Sequence, residues 1–211
     1  MTRKQWEEAN RKQWAVEVSY SQFDTDLVFD SDIDMDTDQA MFLTGLSYTP
    51  IDRLTVRLAL GAIQGGEMEG DAGEYDVTSG VVGSATVLWR FVDPKGWKPF
   101  VLGSLSLAAS TMGTRAKTFP RKEASMWATD ARIGVQTGWV VWKRWFPYLG
   151  VRLFGGPVFW EIEGEEVTGS DKYHFQLAVG SSLALGKGYS IFADWSFLGE
   201  QAVSAGVAYA F

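Results

Sequence analysis

Glu17, Arg57, Arg90, Arg132, Arg152, His174 and Asp194 fall at one parity of segments whose other parity is apolar. In an extended chain, alternation sends such residues to a single face, with Gln136 and Gln176 among them. Charges held away from bulk water must be paired or solvated. The set therefore reads as a charge network lining an interior, and two chemistries are open to it. It forms an ion-paired plug, or, because the arginines outnumber Glu17 and Asp194, an arginine-lined constriction that passes small anions. His174 is the single histidine. A histidine-based hydrolase would set a nucleophile and an orienting acid beside it. No such signature surrounds Tyr173-His174-Phe175, so no catalytic residue is assigned and no enzyme is expected.

Carboxylates supply the second candidate. Asp30, Asp32, Asp34, Asp36 and Asp38 alternate through an acidic segment that also holds Asp24 and Asp26. The spacing resembles the start of a calcium loop, but Thr37 stands where such a loop needs glycine and Leu43 where it needs glutamate. The ordinary reading is a solvated acidic outer surface, with a looser calcium or magnesium site bridging lipopolysaccharide phosphates as the alternative; no firm metal centre or other cofactor is expected. Two further acidic segments hold Glu67, Glu69, Asp71, Glu74 and Asp76, and Glu161, Glu163, Glu165, Glu166 and Asp171. Between them lies a basic one with Arg115, Lys117, Arg121 and Lys122 against Glu123. Those cations either contact lipopolysaccharide directly or pair with their acidic neighbours.

The elements that position these side chains have a period of two. Val16, Val18 and Tyr20 alternate with Glu17, Ser19 and Ser21; Leu54, Val56, Leu58 and Leu60 alternate with Thr55, Arg57, Ala59 and Gly61. A soluble sandwich turns its polar face outward and packs large apolar residues within. Here the second face is Gly, Ser, Ala and isolated charges, the inside-out pattern of a membrane barrel. Ten strands are predicted, near 14–23, 40–49, 53–63, 79–92, 98–111, 128–142, 147–160, 172–185, 189–198 and 201–211. The weakest connection is the hairpin at Gly199-Glu200. Short turns at 49–53, 92–97, 143–146 and 186–188 alternate with long polar segments at 24–39, 64–78, 112–127 and 161–171, which are read as loops.

Aromatic residues gather at both strand ends. Trp14, Tyr48, Trp89, Phe91, Trp97, Trp142, Trp145, Tyr148, Tyr189, Tyr209 and Phe211 fall beside the short turns; Tyr20, Phe23, Phe42, Trp127, Phe159, Trp160, Tyr173 and Phe197 fall at the other ends. Two girdles are expected where rings straddle lipid and water. With no run of about 18 apolar residues, no transmembrane helix is available. Cysteine is absent, and the net charge of −7 argues against nucleic-acid partners. Residues 1–13 are read as a periplasmic N-terminal tail or short helix and 14–211 as the barrel, with a signal peptide expected to have preceded them.

The last run, Ala202 to Phe211, alternates and ends on phenylalanine. With Val207, Tyr209 and Phe211 on one face, it resembles the insertion signal of outer-membrane barrels, and 14–211 as a whole resembles the small OmpA/OmpW-like barrels. The resemblance implies an all-β, closed, antiparallel up-and-down transmembrane barrel of about ten strands, with eight as the alternative. It implies a place in the bacterial outer membrane with both termini periplasmic. Its partners would be outer-membrane lipid and lipopolysaccharide, the barrel-assembly machinery during insertion, and a protein of an envelope assembly. The leading function is a non-enzymatic structural or interaction barrel; the alternative is a narrow pore for small anionic or apolar solutes, ahead of a lipid-modifying enzyme or protease.

Overall fold

The structure, a computed structural model, describes residues 13–30, 33–118, 123–162 and 164–211. The expectation for residues 1–12, and the part assigned to Asp32, lie outside them. Among the described residues twelve strands follow one another: β1 (Trp14–Phe29), β2 (Ile33–Ile51), β3 (Leu54–Gly70), β4 (Gly73–Val92), β5 (Phe100–Ala116), β6 (Glu123–Gly138), β7 (Trp145–Gly155), β8 (Pro157–Ile162), β9 (Glu165–Asp171), β10 (Phe175–Gly186), β11 (Tyr189–Leu198) and β12 (Gln201–Ala210). Ten of them close a ring in the order β1-β2-β3-β4-β5-β6-β7-β10-β11-β12, and β12 returns to β1 from Ala15↔Ala210 to Asp24↔Gln201. Closure leaves no unpaired strand edge for lipid to meet.

Two expected strands are divided. The segment 147–160 breaks at Gly156, where an added Cβ would come within 1.8 Å of the Thr129 carbonyl oxygen, so only glycine fits. Beyond the break, β8 pairs with β6 (Ala128↔Val158) and β9 pairs with β1 (Leu27↔Asp171). The segment 172–185 loses its first three residues to the irregular link between β9 and β10. The β11–β12 hairpin stops lower down, and its Gly199 would strike the Phe175 carbonyl if it carried a side chain. Above that hairpin the ring consists of β1, β2, β3, β4, β5, β6, β8 and β9, an eight-strand collar on a ten-strand base.

The long segments read as loops are therefore mostly strand. A transmembrane β-strand needs about 9–11 residues, and β4 has 20, so much of it stands clear of the hydrocarbon. Carboxylates on such a projection face water from a strand as well as from a loop. The short turns, Trp14 and Phe211 share the opposite end, where the Phe211 amide donates to the Trp14 carbonyl at 2.9 Å.

Side chains on the base follow the predicted faces. Leu60, Leu107, Ile133 and Val203 are all more than half exposed, Leu60 at 74%. Leaving that much apolar area in water costs about 25 cal/mol per Å², so this belt is a lipid-facing surface. Girdle pairs bound it: Trp14–Tyr48 (4.4 Å) and Tyr189–Tyr209 (4.7 Å) at the turn end, Tyr20–Phe42 (5.0 Å) and Trp127–Phe159 (4.0 Å) at the other. Three expected girdle members turn inward instead, Tyr148 among them, its hydroxyl donating to Asp194 inside the base. Phe23 lines a cavity in the lumen, and Trp160 is fully buried.

Trp160 belongs to an apolar core that fills the collar with Leu27, Phe29, Met35, Ile63, Met68, Val77, Met112, Met126 and Val158. Its indole donates to Thr114 Oγ1 at 2.9 Å, and its ring meets Phe29 and Tyr75. The ladder shifts register between Ala40 and Met41 and again between Val77 and Gly80. These irregularities re-phase β3 and β4, so that Met68 and Val77 point in while Glu67, Glu69 and Asp76 point out.

Candidate functional site

Inside the base, long polar side chains from facing strands form a bonded layer, and Glu17 and Arg57 an ion pair beside it. Small neighbours make the room: a Cβ at Gly45 would lie 2.8 Å from the Glu17 stem. Arg57 donates to Glu17. Arg132 grips Glu200 with both terminal nitrogens at 2.7 Å, bonds Asp130 through Nε, and lies 5.1 Å over the Phe154 ring. Gln176 donates to Glu200 (3.0 Å) and Ser196 (2.9 Å) and accepts from Arg152 at 3.0 Å. Arg152 faces Asp194 at 3.6 Å, and Tyr148 donates to that carboxylate at 2.6 Å. A bidentate guanidinium–carboxylate pair is rigid as well as strong, so the layer braces the lumen from β6 to the β11–β12 hairpin.

The expected network divides here. Glu17, Arg57, Arg132, Arg152 and Asp194 face the lumen as the alternation predicts. Arg90 sits at the turn-side mouth, held by Asp93 (2.7 Å) and the Asp52 carbonyl. His174 does not line the lumen: it lies in the irregular link between β9 and β10, exposed, with Nδ1 3.0 Å from where a Cβ on Gly155 would be. Three unregistered residues cut the alternation there, so counting parity through them misplaces it. Among the described residues no acid orients its ring.

Sequence reasoning gave Glu200 no role, read Asp171 as an acidic loop residue and read Tyr148 as a girdle residue. Glu200 sits in a hairpin turn, where alternation has no meaning, and Asp171 in a segment read as loop. With Asp130 they reverse the expected balance: Glu17, Asp130, Asp171, Asp194 and Glu200 face Arg57, Arg90, Arg132 and Arg152. The interior is not net positive, which removes the electrostatic reason for anion selectivity.

Cavities lie on either side of the layer. One of about 240 Å³ opens at the turn side between Arg90, Phe100, Gln136 and Tyr148. The other, about 320 Å³, lies between the charged layer and the collar core. At its floor Asp171 accepts from Thr25 at 3.4 Å. Burial, then the nearby Glu200 and Asp130 carboxylates, push Asp171 up to about 6.

Outside the collar the acidic residues form two cross-strand rows, Asp24-Asp38-Glu67-Asp76 and Asp26-Asp36-Glu69-Glu74. Burial and the facing Asp36 and Asp38 hold the Asp24 carboxyl above its usual range. Asp34, Asp36 and Asp38 stand two residues apart along β2, and Asp30 occupies the turn after β1. Among the described residues no three carboxylates converge as a metal site. Arg115 pairs with Glu123 at 2.7 Å and Lys117 with Glu67 at 3.2 Å. These two cations thus take the second of their expected roles, pairing with acidic neighbours. Arg121 and Lys122 lie outside the described residues.

At the other end, Val207 and Tyr209 on β12 and Phe211 just past it are exposed toward the lipid side.

No protein-family model matches the chain, and no curated protein matches it in sequence. Solved structures do. The translocator domain of the autotransporter NalP from Neisseria meningitidis superposes with a TM-score of 0.60 at 13% identity, covering 96% of this chain and 90% of its own. The chain has the fold of outer-membrane β-barrels. The outer membrane protease OmpT from Escherichia coli gives 0.56 at 9% identity over 96% and 98%, and the β domain of the Bordetella autotransporter BrkA gives 0.50 at 14% over 94% and 99%. A protease and autotransporter domains share this architecture, so the fold carries no single function.

Proposed function

We propose that this chain is a non-conducting, non-enzymatic barrel of the bacterial outer membrane, with a structural or interaction role in an envelope assembly. The observation that carries the reading is double closure of the lumen: the Arg132–Glu200 layer crosses the base, and the Trp160 core fills the collar. Barrels of this size leave a lumen that side chains can fill. The short turns and both chain ends face the periplasm, and the collar faces outward. There its acidic rows meet lipopolysaccharide phosphates through shared calcium or magnesium, since no self-contained site is present among the described residues. The Val207-Tyr209-Phe211 face is read by the insertion machinery.

Single-channel recording in planar bilayers tests the reading. The wild-type barrel is expected to be silent. The double change Arg132→Ala with Glu200→Ala removes one closure and leaves the other, so it too stays silent until Trp160→Ala is added. Steady conductance of the unmodified protein would favour the narrow-pore alternative and end the closed-lumen reading.

A further inference from the structure

Charge pairing divides the cations of this barrel into two groups. Every described arginine or lysine of the lumen, the collar and the β2–β3 turn has a carboxylate partner. Lys95, Lys98, Lys143, Arg144 and Lys187 have none among the described residues, and all five are exposed. They occupy three successive turns, β4–β5, β6–β7 and β10–β11, whose strands lie side by side in the order β4-β5-β6-β7-β10-β11. No acid stands in 94–98, 139–145 or 186–188. Asp93, at the edge of the arc, is held by Arg53 and Arg90. The positive charge of the arc is therefore unbalanced.

The same arc presents bare indoles: Trp97 is 91% exposed and Trp142 82%. Trp142 stacks on Trp145 with ring centroids 5.9 Å apart, and the Trp145 indole donates to Ser181 Oγ on β10 at 2.5 Å. Trp145 pairs with Leu183 and is in step with the exposed Leu149 and Val151, so the stack sits on the outer wall at the edge of the apolar belt. Indoles and long basic side chains settle where hydrocarbon gives way to headgroups. The backbone carries a further mark. Trp142, Lys143 and Lys187 have φ of 50°, 62° and 52°, a left-handed conformation that suits glycine or asparagine and is costly for other residues. Strain retained in this way points to a role for the side chains it presents.

We propose that the arc is a binding surface for anionic phospholipid headgroups of the leaflet around the turn end, with phosphates on the five cations and the glycerol region against the Trp142–Trp145 stack. Phosphate is the anion found at that depth of a bilayer, and a soluble anion would need the cations without the rings on the lipid-facing wall. The inference rests on the membrane placement in the proposed function and is independent of whether the lumen conducts.

The chain has no cysteine, so a single fluorescent label can be placed at a chosen site. Leu185→Cys puts it on the exposed end of β10 beside Lys187, and Leu46→Cys on the exposed face of β2, outside the arc. Each labelled barrel is folded into phosphatidylcholine vesicles that contain either brominated phosphatidylglycerol or brominated phosphatidylcholine, and local enrichment is read from the ratio of quenching. A basic residue at an anionic surface is worth roughly fivefold in partitioning. Phosphatidylglycerol should thus be enriched about fivefold at 185 and far less at 46. Changing all five cations to Gln, or adding salt to about 0.5 M, should bring 185 down to the level of 46. Arg115→Gln with Lys117→Gln, which removes two paired collar cations, should leave it unchanged. Folding of each variant is read from its heat-modifiable migration. Equal enrichment at the two positions, or a preference at 185 that survives the five changes in a folded barrel, overturns the proposal. So does binding of the detergent-folded barrel to purified peptidoglycan, lost with the five changes, in the absence of any lipid preference. Steady conductance in the bilayer recording would end the closed-lumen reading and leave this one standing.

Discussion

The ten-strand base and the eight-strand collar share strands β1 to β6 yet obey opposite rules. Along β1 the outward residues run Val16, Val18, Tyr20 and then Gln22, Asp24, Asp26, while the inward ones run Glu17, Ser19, Ser21 and then Thr25, Leu27, Phe29. Nothing in the backbone changes at the crossing point: the phase of two is unbroken, and the ladder to β2 keeps register from Trp14↔Tyr48 to Phe29↔Ile33. What changes is the solvent outside. Against lipid, apolar side chains go out and the interior takes whatever can be paired; against water, the ordinary soluble rule returns. Local polarity therefore reports where the membrane ends.

Substitutions that respect one regime and violate the other expose the contrast. The largest effect is expected at Trp160, whose removal hollows the collar core. Trp160→Ala should destabilise the folded barrel by about 3–5 kcal/mol in urea titrations from lipid vesicles, whereas Trp127→Ala in the girdle should cost about 1 kcal/mol. Equal losses would mean that the collar core is not a true core. Next comes Leu60→Arg on the lipid face of β3, expected to cost about 2–4 kcal/mol. Glu69→Arg, on the outward face of the same strand in the collar, should be neutral or slightly stabilising; a matching penalty there would move the membrane boundary up the strand.

Asp171 gives a smaller effect with a pH signature. Its folded pKa of about 6 lies above the ordinary 3.8, so the fold penalises the ionised form. That penalty is complete above pH 6, shrinks as the pH falls through 6, and vanishes below 3.8. Asp171→Asn should therefore stabilise the barrel by about 1–2 kcal/mol at pH 8, a figure reduced for partial solvent exposure. The gain should be lost at pH 3.5, and one that persists there would assign the effect to something other than charge. Smallest is Asp38→Asn, which relieves like charges opposite Asp24 and Glu67 and should stabilise by about 0.2–1 kcal/mol, less in high salt. Melting curves at two ionic strengths check it.

The base was legible in the sequence because one face there is uniformly apolar. Val203, Val207 and Tyr209 could be assigned to lipid, and Arg132, Arg152 and Asp194 to the lumen, by parity alone. The collar was not, since Asp24, Asp26, Asp36 and Asp38 look the same on a projecting strand as on a loop. Leu27, Met35 and Met68 carried the missing signal, an apolar residue at every second place among the acids. The break at Gly156 was hidden because glycine is frequent on the lumen face, and only the approach of the Thr129 carbonyl shows why this one is needed. Glu200 escaped for a different cause: its partner Arg132 is 68 residues away, and turn positions have no face to predict.

The short β11–β12 hairpin also sets the girth of the molecule. Neighbouring strands lie about 4.8 Å apart, so ending two of them early removes roughly a fifth of the perimeter and about a third of the cross-section, tilt being similar throughout. The tube tapers at the level of Gly199-Glu200. A bore wide enough to demand arginines with their partners below is narrow enough above for methionine and a single tryptophan to stopper it.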